Sequence, residues 1–317
     1  MHIKAIHENQ QKMLKKQRIN KSPHTIKKYK TAFNNFNKYT EQANIKTLNT
    51  NTIEDILLDY ITYLQDQENY SNNTINQYII LIKNFLKNEC KIEPGNIEPL
   101  KTIKHRPGYI TETQYQEIEQ YLMQQIQQAT TPQQKKIANT DHTIINLLYH
   151  TGLRIHEALN LTIKDLTNAY KDNNNLHRIT VIGKGQKDRT VYITPGTYEI
   201  LMQYIQQYKK PQQECIYEST KTPGKPITTM TIERHFQKIA KELDAIHSID
   251  PHDEYSYTTL LKPHNLRHTF TVINLEKGIK INVMQKLLGH SNITTTQIYA
   301  ELVDNSISDA IAKTLAI

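Results

Sequence analysis

A chain of 317 residues, 37% hydrophobic and 22% charged, is long enough for about two domains and has no run of about 18 apolar residues to cross a membrane. The polar opening MHIKAIHENQQKMLKKQ does not read as a secretory leader, and two cysteines, Cys90 and Cys215, exclude a disulfide framework or a CxxC metal pair, which points to a reducing cytoplasm. The net charge of +8 is uneven: residues 1–50 carry 11 Lys/Arg against 2 Asp/Glu and residues 109–317 carry 22 against 21, so the basic end predicts a polyanionic partner, nucleic acid or anionic membrane, with a merely solvated face as the equal reading on charge alone.

In chain order, residues 1–20 read as a polar helix or tail, a basic extension. Ser22-Pro23 is an N-cap followed by Pro at the first helical position. Ile26, Tyr29, Phe33 and Phe36 follow at steps of three and four, predicting an amphipathic helix to about residue 39. Lys27, Lys28 and Lys30 lie off that apolar stripe. A second helix reads over residues 52–67, with Ile53, Ile56, Leu57, Tyr60, Ile61 and Leu64 inward. A third reads over residues 73–88, with Ile75, Ile79, Ile82 and Leu86 on one face. Residues 21–98 thus form an all-helical unit. Pro94, Gly95, Pro99, Pro107 and Gly108 break helices repeatedly, which places a linker at residues 99–108.

The second unit, residues 109–302, opens with a helix from Thr111 to about residue 128 and another over residues 140–150. Residues 176–182 and 189–193 have strand composition and flank the turn Gly183-Lys184-Gly185-Gln186, a β-hairpin. Helices resume over residues 197–209, 228–243, 265–277, 282–288 and 294–302, with a last one at 306–316. The fold class is mainly α with a small antiparallel β-sheet.

Three strings carry chemistry: Thr151-Gly152-Leu153-Arg154-Ile155-His156-Glu157, His264-Asn265-Leu266-Arg267-His268, and Leu288-Gly289-His290-Ser291-Asn292 with Tyr299 nine residues after the histidine. The hairpin turn adds Lys184. Two arginines can clamp the non-bridging oxygens of a phosphate without titrating. Histidines exchange protons or donate hydrogen bonds near neutral pH, and a lysine on a turn can protonate a leaving oxygen. A tyrosine hydroxyl becomes a nucleophile when cations favour its anion. No carboxylate cluster suited to Mg²⁺ accompanies them. The set points to metal-free attack of a tyrosine on a phosphodiester. Taken singly, each residue has an ordinary explanation as a surface arginine, a simple turn, a helix-face ion pair or a packing tyrosine. The ordered combination carries the weight.

These strings, in this order, resemble the tyrosine recombinase, or phage integrase, family, in its simple two-domain Xer/integrase-like form. TGLRIHEAL is similar to its first arginine box, VIGKGQKDR to its lysine hairpin, PHNLRHTF to its second box and LLGHSNITTTQIYA to its terminal box. The resemblance implies an all-helical, SAM-like core-binding domain followed by a mixed α/β catalytic domain. It implies that Arg154 and Arg267 bind the scissile phosphate and that Lys184 protonates the departing 5′-oxygen. His264 would be general base or hydrogen-bond partner, and His290 would donate to a phosphate oxygen. Tyr299 would attack, and Glu157 would support the site. Lys27, Lys28, Lys30, Lys83 and Lys87 are the candidate DNA contacts.

The implied activity is site-specific recombination through a 3′-phosphotyrosyl intermediate and a Holliday junction, with no metal and no cofactor. The implied partners are double-stranded DNA bearing inverted-repeat core sites and further copies of the chain, a free monomer becoming a tetramer in synapsis. No membrane is involved. The apolar stripe Val303, Ile307, Ile311 and Leu315 makes residues 303–317 a docking segment for a neighbouring protomer. Two features depart from the family pattern. His156 stands where a small residue is commoner, and residues 244–262 are long, with His247, Asp250, His252 and Asp253 reading as a surface loop rather than a metal site. A type IB topoisomerase, a non-enzymatic DNA-binding regulator and a metal-dependent nuclease remain as rival readings.

Overall fold

The computed structural model describes residues 1–102, 107–183, 188–209 and 213–289. The chain divides into two compact units, Met1–His105 and Arg106–Ile317, each with its own core. It is mostly helical with one small sheet, and no helix among the described residues is long and apolar enough to cross a membrane.

The first unit consists of α1 (Ile3–Asn20), α2 (Pro23–Gln42), α3 (Ile53–Asp66) and α4 (Asn72–Phe85), the last continued by a π-helical turn at Leu86–Cys90. Ser22 and Ser71 cap α2 and α4 by accepting the backbone N–H groups of Thr25 and Thr74, which satisfies donors a helix start leaves orphaned. Aromatic rings fill the centre: Phe33 meets Phe85 edge-on at 4.9 Å and Phe36 meets Tyr60 at 5.1 Å. Residues 1–20, read above as an extension, belong to this core. Ile6, Gln10, Met13 and Leu14 are buried, and Gln10 and Asn37 exchange reciprocal amide hydrogen bonds of 3.0 and 2.9 Å. The start of the expected linker is also tied down. The Asn76 side chain accepts from Leu100 N–H (2.8 Å) and donates to Leu100 C=O (2.9 Å), and Asn72 donates to Lys101 C=O (2.8 Å).

The second unit is built around α6 (Pro132–Thr151). Residues 140–149 are all buried, packed by α5 (Glu112–Gln128), α9 (Pro195–Tyr208), α10 (Thr229–His247) and α12 (Pro263–Glu276). This explains why only its second half reads as apolar in the sequence. The first half is an exposed, polar run started by a capping box in which Thr131 and Gln134 bond each other's backbone. Polar side chains buried along α6 find partners, Asp141 with His235 at 2.8 Å and His142 with Glu119 at 3.0 Å, and Asn146 donates to the Tyr115 hydroxyl at 3.1 Å while its Oδ1 accepts no hydrogen bond among the described residues.

Two short helices follow α6, α7 (Ile155–Leu159) and α8 (Ile163–Thr167), and then a three-stranded antiparallel sheet in the order β1 (Tyr170–Lys171), β2 (His177–Ile182), β3 (Asp188–Ile193). The hairpin register pairs Ile179 with Val191 and Val181 with Arg189. Ile179, Val181, Val191 and Ile193 form the buried face, and Arg189 shares its parity at the end of the strand. The four-residue α11 (Tyr257–Leu260) precedes α12, and α13 (Ile281–Leu288) ends the described chain. In the His- and Asp-rich segment, Asp244 accepts the N–H groups of Tyr257 and Thr258 at the start of α11. Asp250 and Asp253 accept from the backbone of His252 and Tyr255 in tight turns. No group of three or more metal-ligating side chains occurs among the described residues. The helices expected at 294–302 and 306–316 lie outside them.

Gly152 ends α6 in the left-handed region (φ +61°), and a Cβ there would stand 2.4 Å from Phe270 Cδ1. Gly152→Ala combines a strained backbone with an overpacked ring and should cost about 2–4 kcal/mol. A urea titration should find the midpoint lowered with an unchanged slope.

Candidate active site

The ends of four elements meet around one carboxylate. Arg154 occupies the N-cap of α7, and Glu157, one turn on, accepts both its backbone N–H (Oε2, 2.9 Å) and its guanidinium Nη1 (Oε1, 3.0 Å). From the end of β3, Arg189 donates Nη1 to Glu157 Oε1 (2.7 Å) and Nη2 to Oε2 (2.6 Å), a bidentate pair. The Nε of Arg189 reaches the last turn of α13 and donates to Leu287 C=O (3.0 Å). Arg267, on the second turn of α12, donates Nη1 to Gly152 C=O (2.6 Å) and Nη2 to Leu288 C=O (2.5 Å). Two arginines thus bond carbonyls that the ends of α6 and α13 leave without helical partners.

The glycines make these approaches possible. Gly289 closes α13 at φ +63°, and a Cβ there would lie 2.9 Å from the Arg189 side chain. Gly152 plays the matching part at the end of α6, presenting its carbonyl to Arg267 and leaving room for Phe270.

Among the described residues, three guanidiniums gather around the one carboxylate of Glu157, an excess of two positive charges. Glu157 is 6% exposed and Arg189 8%. Burial alone would raise the Glu157 pKa, but the hydrogen bonds from Arg189 and from the Arg154 backbone outweigh it and bring it to about 2. Arg267 is 3% exposed. Burial and the charges of Arg154 and Arg189, against the pull of Glu157, lower its pKa to about 9, which keeps it a cation at neutral pH. His264, on the first turn of α12, lies at the surface within electrostatic reach of the same group. Partial desolvation and the charges of Arg267 and Arg154 hold its pKa below 6.5, so its ring is neutral at pH 7. The ring of His268, one turn along, meets it edge-on at 4.3 Å. Of the three arginines, Arg154 has the exposed side chain, at 36%.

Arg154, Glu157, His264 and Arg267 are therefore brought together. Lys184, His290 and Tyr299 lie outside the described residues; in the chain, Lys184 follows β2 by two residues and His290 directly follows Gly289. Arg189 is the participant that motif reading missed. Its signal was present, because Arg189, Val191 and Ile193 alternate on one face of the strand, and a charge on a buried face needs a partner. In the first unit, Lys27, Lys28 and Lys30 are exposed on α2 with no ion pair among the described residues. Lys83 donates to Ile97 C=O (3.4 Å) and Lys87 pairs with Glu93 (3.2 Å), so these two are engaged by their own unit.

The chain matches the Phage integrase family over residues 109–306 and the Phage integrase N-terminal SAM-like domain over residues 11–88. It is 28% identical over 298 residues to tyrosine recombinase XerC of Staphylococcus haemolyticus, covering 93% of this chain and 91% of that protein. Over 175 residues it is 36% identical to a tyrosine recombinase of Pseudothermotoga lettingae, covering 55% of this chain and 54% of that one. Its fold is similar to that of the XerH site-specific recombinase bound to a palindromic difH substrate (TM-score 0.66, 21% identity, 95% of this chain and 83% of that one). It is similar also to the Tn1549 transposon integrase in complex with circular intermediate DNA (TM-score 0.69, 20% identity, 93% and 94%). The match over residues 109–306 spans more than half of the chain and takes in Arg154, Lys184, His264, Arg267, His290 and Tyr299; the chain belongs to the phage integrase family.

Proposed function

We propose that the chain is a site-specific DNA recombinase that cuts and rejoins strands through a tyrosine. The observation that carries the reading is the excess of two positive charges around Arg154, Glu157, Arg189 and Arg267. A phosphodiester carries one negative charge, and attack by an anionic oxygen brings a second onto the non-bridging oxygens. Cations gathered there in advance match that transition state rather than the ground state.

In the proposed reaction the Tyr299 hydroxyl oxygen attacks the scissile phosphorus, the bond to the 5′-oxygen breaks, and Lys184 gives that oxygen its proton. Arg154 and Arg267 stabilise the charge on the non-bridging oxygens, and His290 donates to one of them. His264, neutral at pH 7, takes the proton that the Tyr299 hydroxyl gives up, or accepts a hydrogen bond while that proton passes to water. The product is a 3′-phosphotyrosyl link that keeps the energy of the broken diester, so a 5′-hydroxyl from a partner strand reverses the step without ATP. On two duplexes this exchange passes through a four-way junction.

DNA is the partner. Residues 21–98, with the α1 helix packed into their core, serve as the core-binding domain, and Lys27, Lys28 and Lys30 hold the phosphate backbone. Lys83 and Lys87 join them by giving up their contacts to Ile97 and Glu93. Such a grip weakens steeply with salt. Residues 109–302 are the catalytic domain, and residues 303–317 dock on a neighbouring protomer as a tetramer assembles on inverted-repeat sites in the cytoplasm.

Three measurements test this reading. On DNA nicked beside the cleavage position, the wild-type chain should form an adduct that survives denaturing electrophoresis, while Tyr299→Phe binds equally and forms none. An adduct in that variant places the nucleophile elsewhere. Recombinant products from a two-site plasmid separate recombination from relaxation alone.

The third measurement concerns the charge balance. The Glu157 pKa falls from 4.5 to about 2 on folding. A depressed carboxylate stabilises the fold fully above its unfolded value and loses that contribution as pH falls through the folded value. Roughly 3 kcal/mol should therefore disappear between about pH 4.5 and 2. Urea midpoints measured across that window should fall less steeply for Glu157→Gln than for the wild type.

A further inference from the structure

Two guanidiniums compete for the oxygens of Glu157, and they are not equally placed. Arg189 takes both oxygens with bonds of 2.7 and 2.6 Å, is 8% exposed and is tied at its Nε to Leu287 C=O. Arg154 makes one longer side-chain bond of 3.0 Å and keeps a side chain that is 36% exposed. A carboxylate forms its strongest pair with one guanidinium in bidentate geometry. While Arg189 fills that place, Arg154 is left with a single contact and an open flank.

The backbone holds Arg154 close to Glu157 whatever its side chain does, because Glu157 Oε2 also accepts the Arg154 N–H. With Arg189 gone, Arg154 would need only a side-chain rotation to take the vacated bidentate position. Its positive charge would then be spent on a carboxylate that is otherwise already paired. The excess of two positive charges would drop to one, and the remaining one would belong to Arg267, which is 3% exposed and bonded to the carbonyls of Gly152 and Leu288.

We infer that Arg189 is a positioning residue that keeps Arg154 available to a phosphate by occupying Glu157 itself. The inference rests on the proposed phosphate-binding role of Arg154. It has a consequence that a purely structural arginine would not have: the damage from losing Arg189 should be repaired by removing Glu157, the group that would otherwise capture Arg154.

The test is a double-mutant cycle on the full chain, with wild type, Arg189→Gln, Glu157→Gln and the double variant. Single-turnover adduct formation on nicked DNA is read at saturating protein, beside DNA affinity and melting temperature. Arg189→Gln should slow adduct formation by about a hundredfold with near-normal DNA affinity. In the Glu157→Gln background the same change should cost less than about threefold. An equal loss in both backgrounds overturns the inference, because Arg189 would then act through Leu287 or on the DNA directly. Arg189→Lys, which supplies a charge but no planar fork, should fall between wild type and Arg189→Gln.

Should Arg189→Gln fail to fold, the double variant, which removes both buried charges together, decides alone. Adduct formation within about tenfold of wild type supports the inference, and a loss of about a hundredfold or more with intact DNA binding sinks it. A wild-type chain that forms no adduct at all contradicts the proposed function instead, so the two failures are distinguishable.

Discussion

The bidentate pair between Glu157 and Arg189 is the interaction on which the rest of the site depends. It joins α7 to β3, and through the bond from Arg189 to Leu287 it joins both to the end of α13. A buried pair of this kind is costly to form, and breaking it from one side costs about 3–5 kcal/mol because the other charge is left buried. Here the desolvation cost secures geometry. Segments separated by long stretches of chain are brought to one point with hydrogen-bond precision, and the residue directly after α13 is Gly289, whose missing Cβ lets Arg189 pass.

Arg267 extends the same logic. A guanidinium buried beside two others would be expected to lose its proton more readily, and its pKa does fall, to about 9. The charge of Glu157 pulls the other way, and the carbonyls of Gly152 and Leu288, at helix C-terminal ends where the partial charge is negative, accept hydrogen bonds from the Arg267 guanidinium. The left-handed turns at Gly152 and Gly289 expose those ends. Backbone conformation, set by two glycines, thus becomes electrostatics at the site. The opening charge asymmetry of the chain takes on a different meaning as well. Residues 109–317 are nearly neutral overall, yet they concentrate cations at one point, while the basic first fifty residues supply exposed lysines on α2.

Much of this fold is legible in the sequence where a single physical signal dominates. Ser22-Pro23 starts α2, the spacing of Ile53, Leu57, Tyr60, Ile61 and Leu64 marks α3, and the alternation around Gly183 marks the hairpin. The losses have physical causes. The stripe of α1 includes Gln10, which is buried because Asn37 satisfies it, so a polar letter hides a core position. The first half of α6 is exposed and carries no apolar stripe, and β1, α7, α8 and α11 are too short to show a period. Arg154, Glu157, His264 and Arg267 are readable as motif residues. That the carboxylate serves chiefly Arg189, 32 residues away, depends on the hairpin register and cannot be read from local spacing.

The arrangement also explains why the site is tuned to the reaction rather than to its own comfort. Arg154, Arg189 and Arg267 repel one another, and burial first and that repulsion second lower the pKa values of Arg267 and His264. A protein selected for stability alone would place a second carboxylate here. Among the described residues Glu157 is the carboxylate bonded to Arg154 and Arg189, and an anion entering beside them would lower their mutual repulsion. On the proposed reading the phosphate is that anion, and its binding would stabilise the fold by mass action. The neutral His264 fits the same scheme. As a cation it would add to the repulsion; in the proposed reaction the neutral ring would take up a proton once the phosphate charge compensates it.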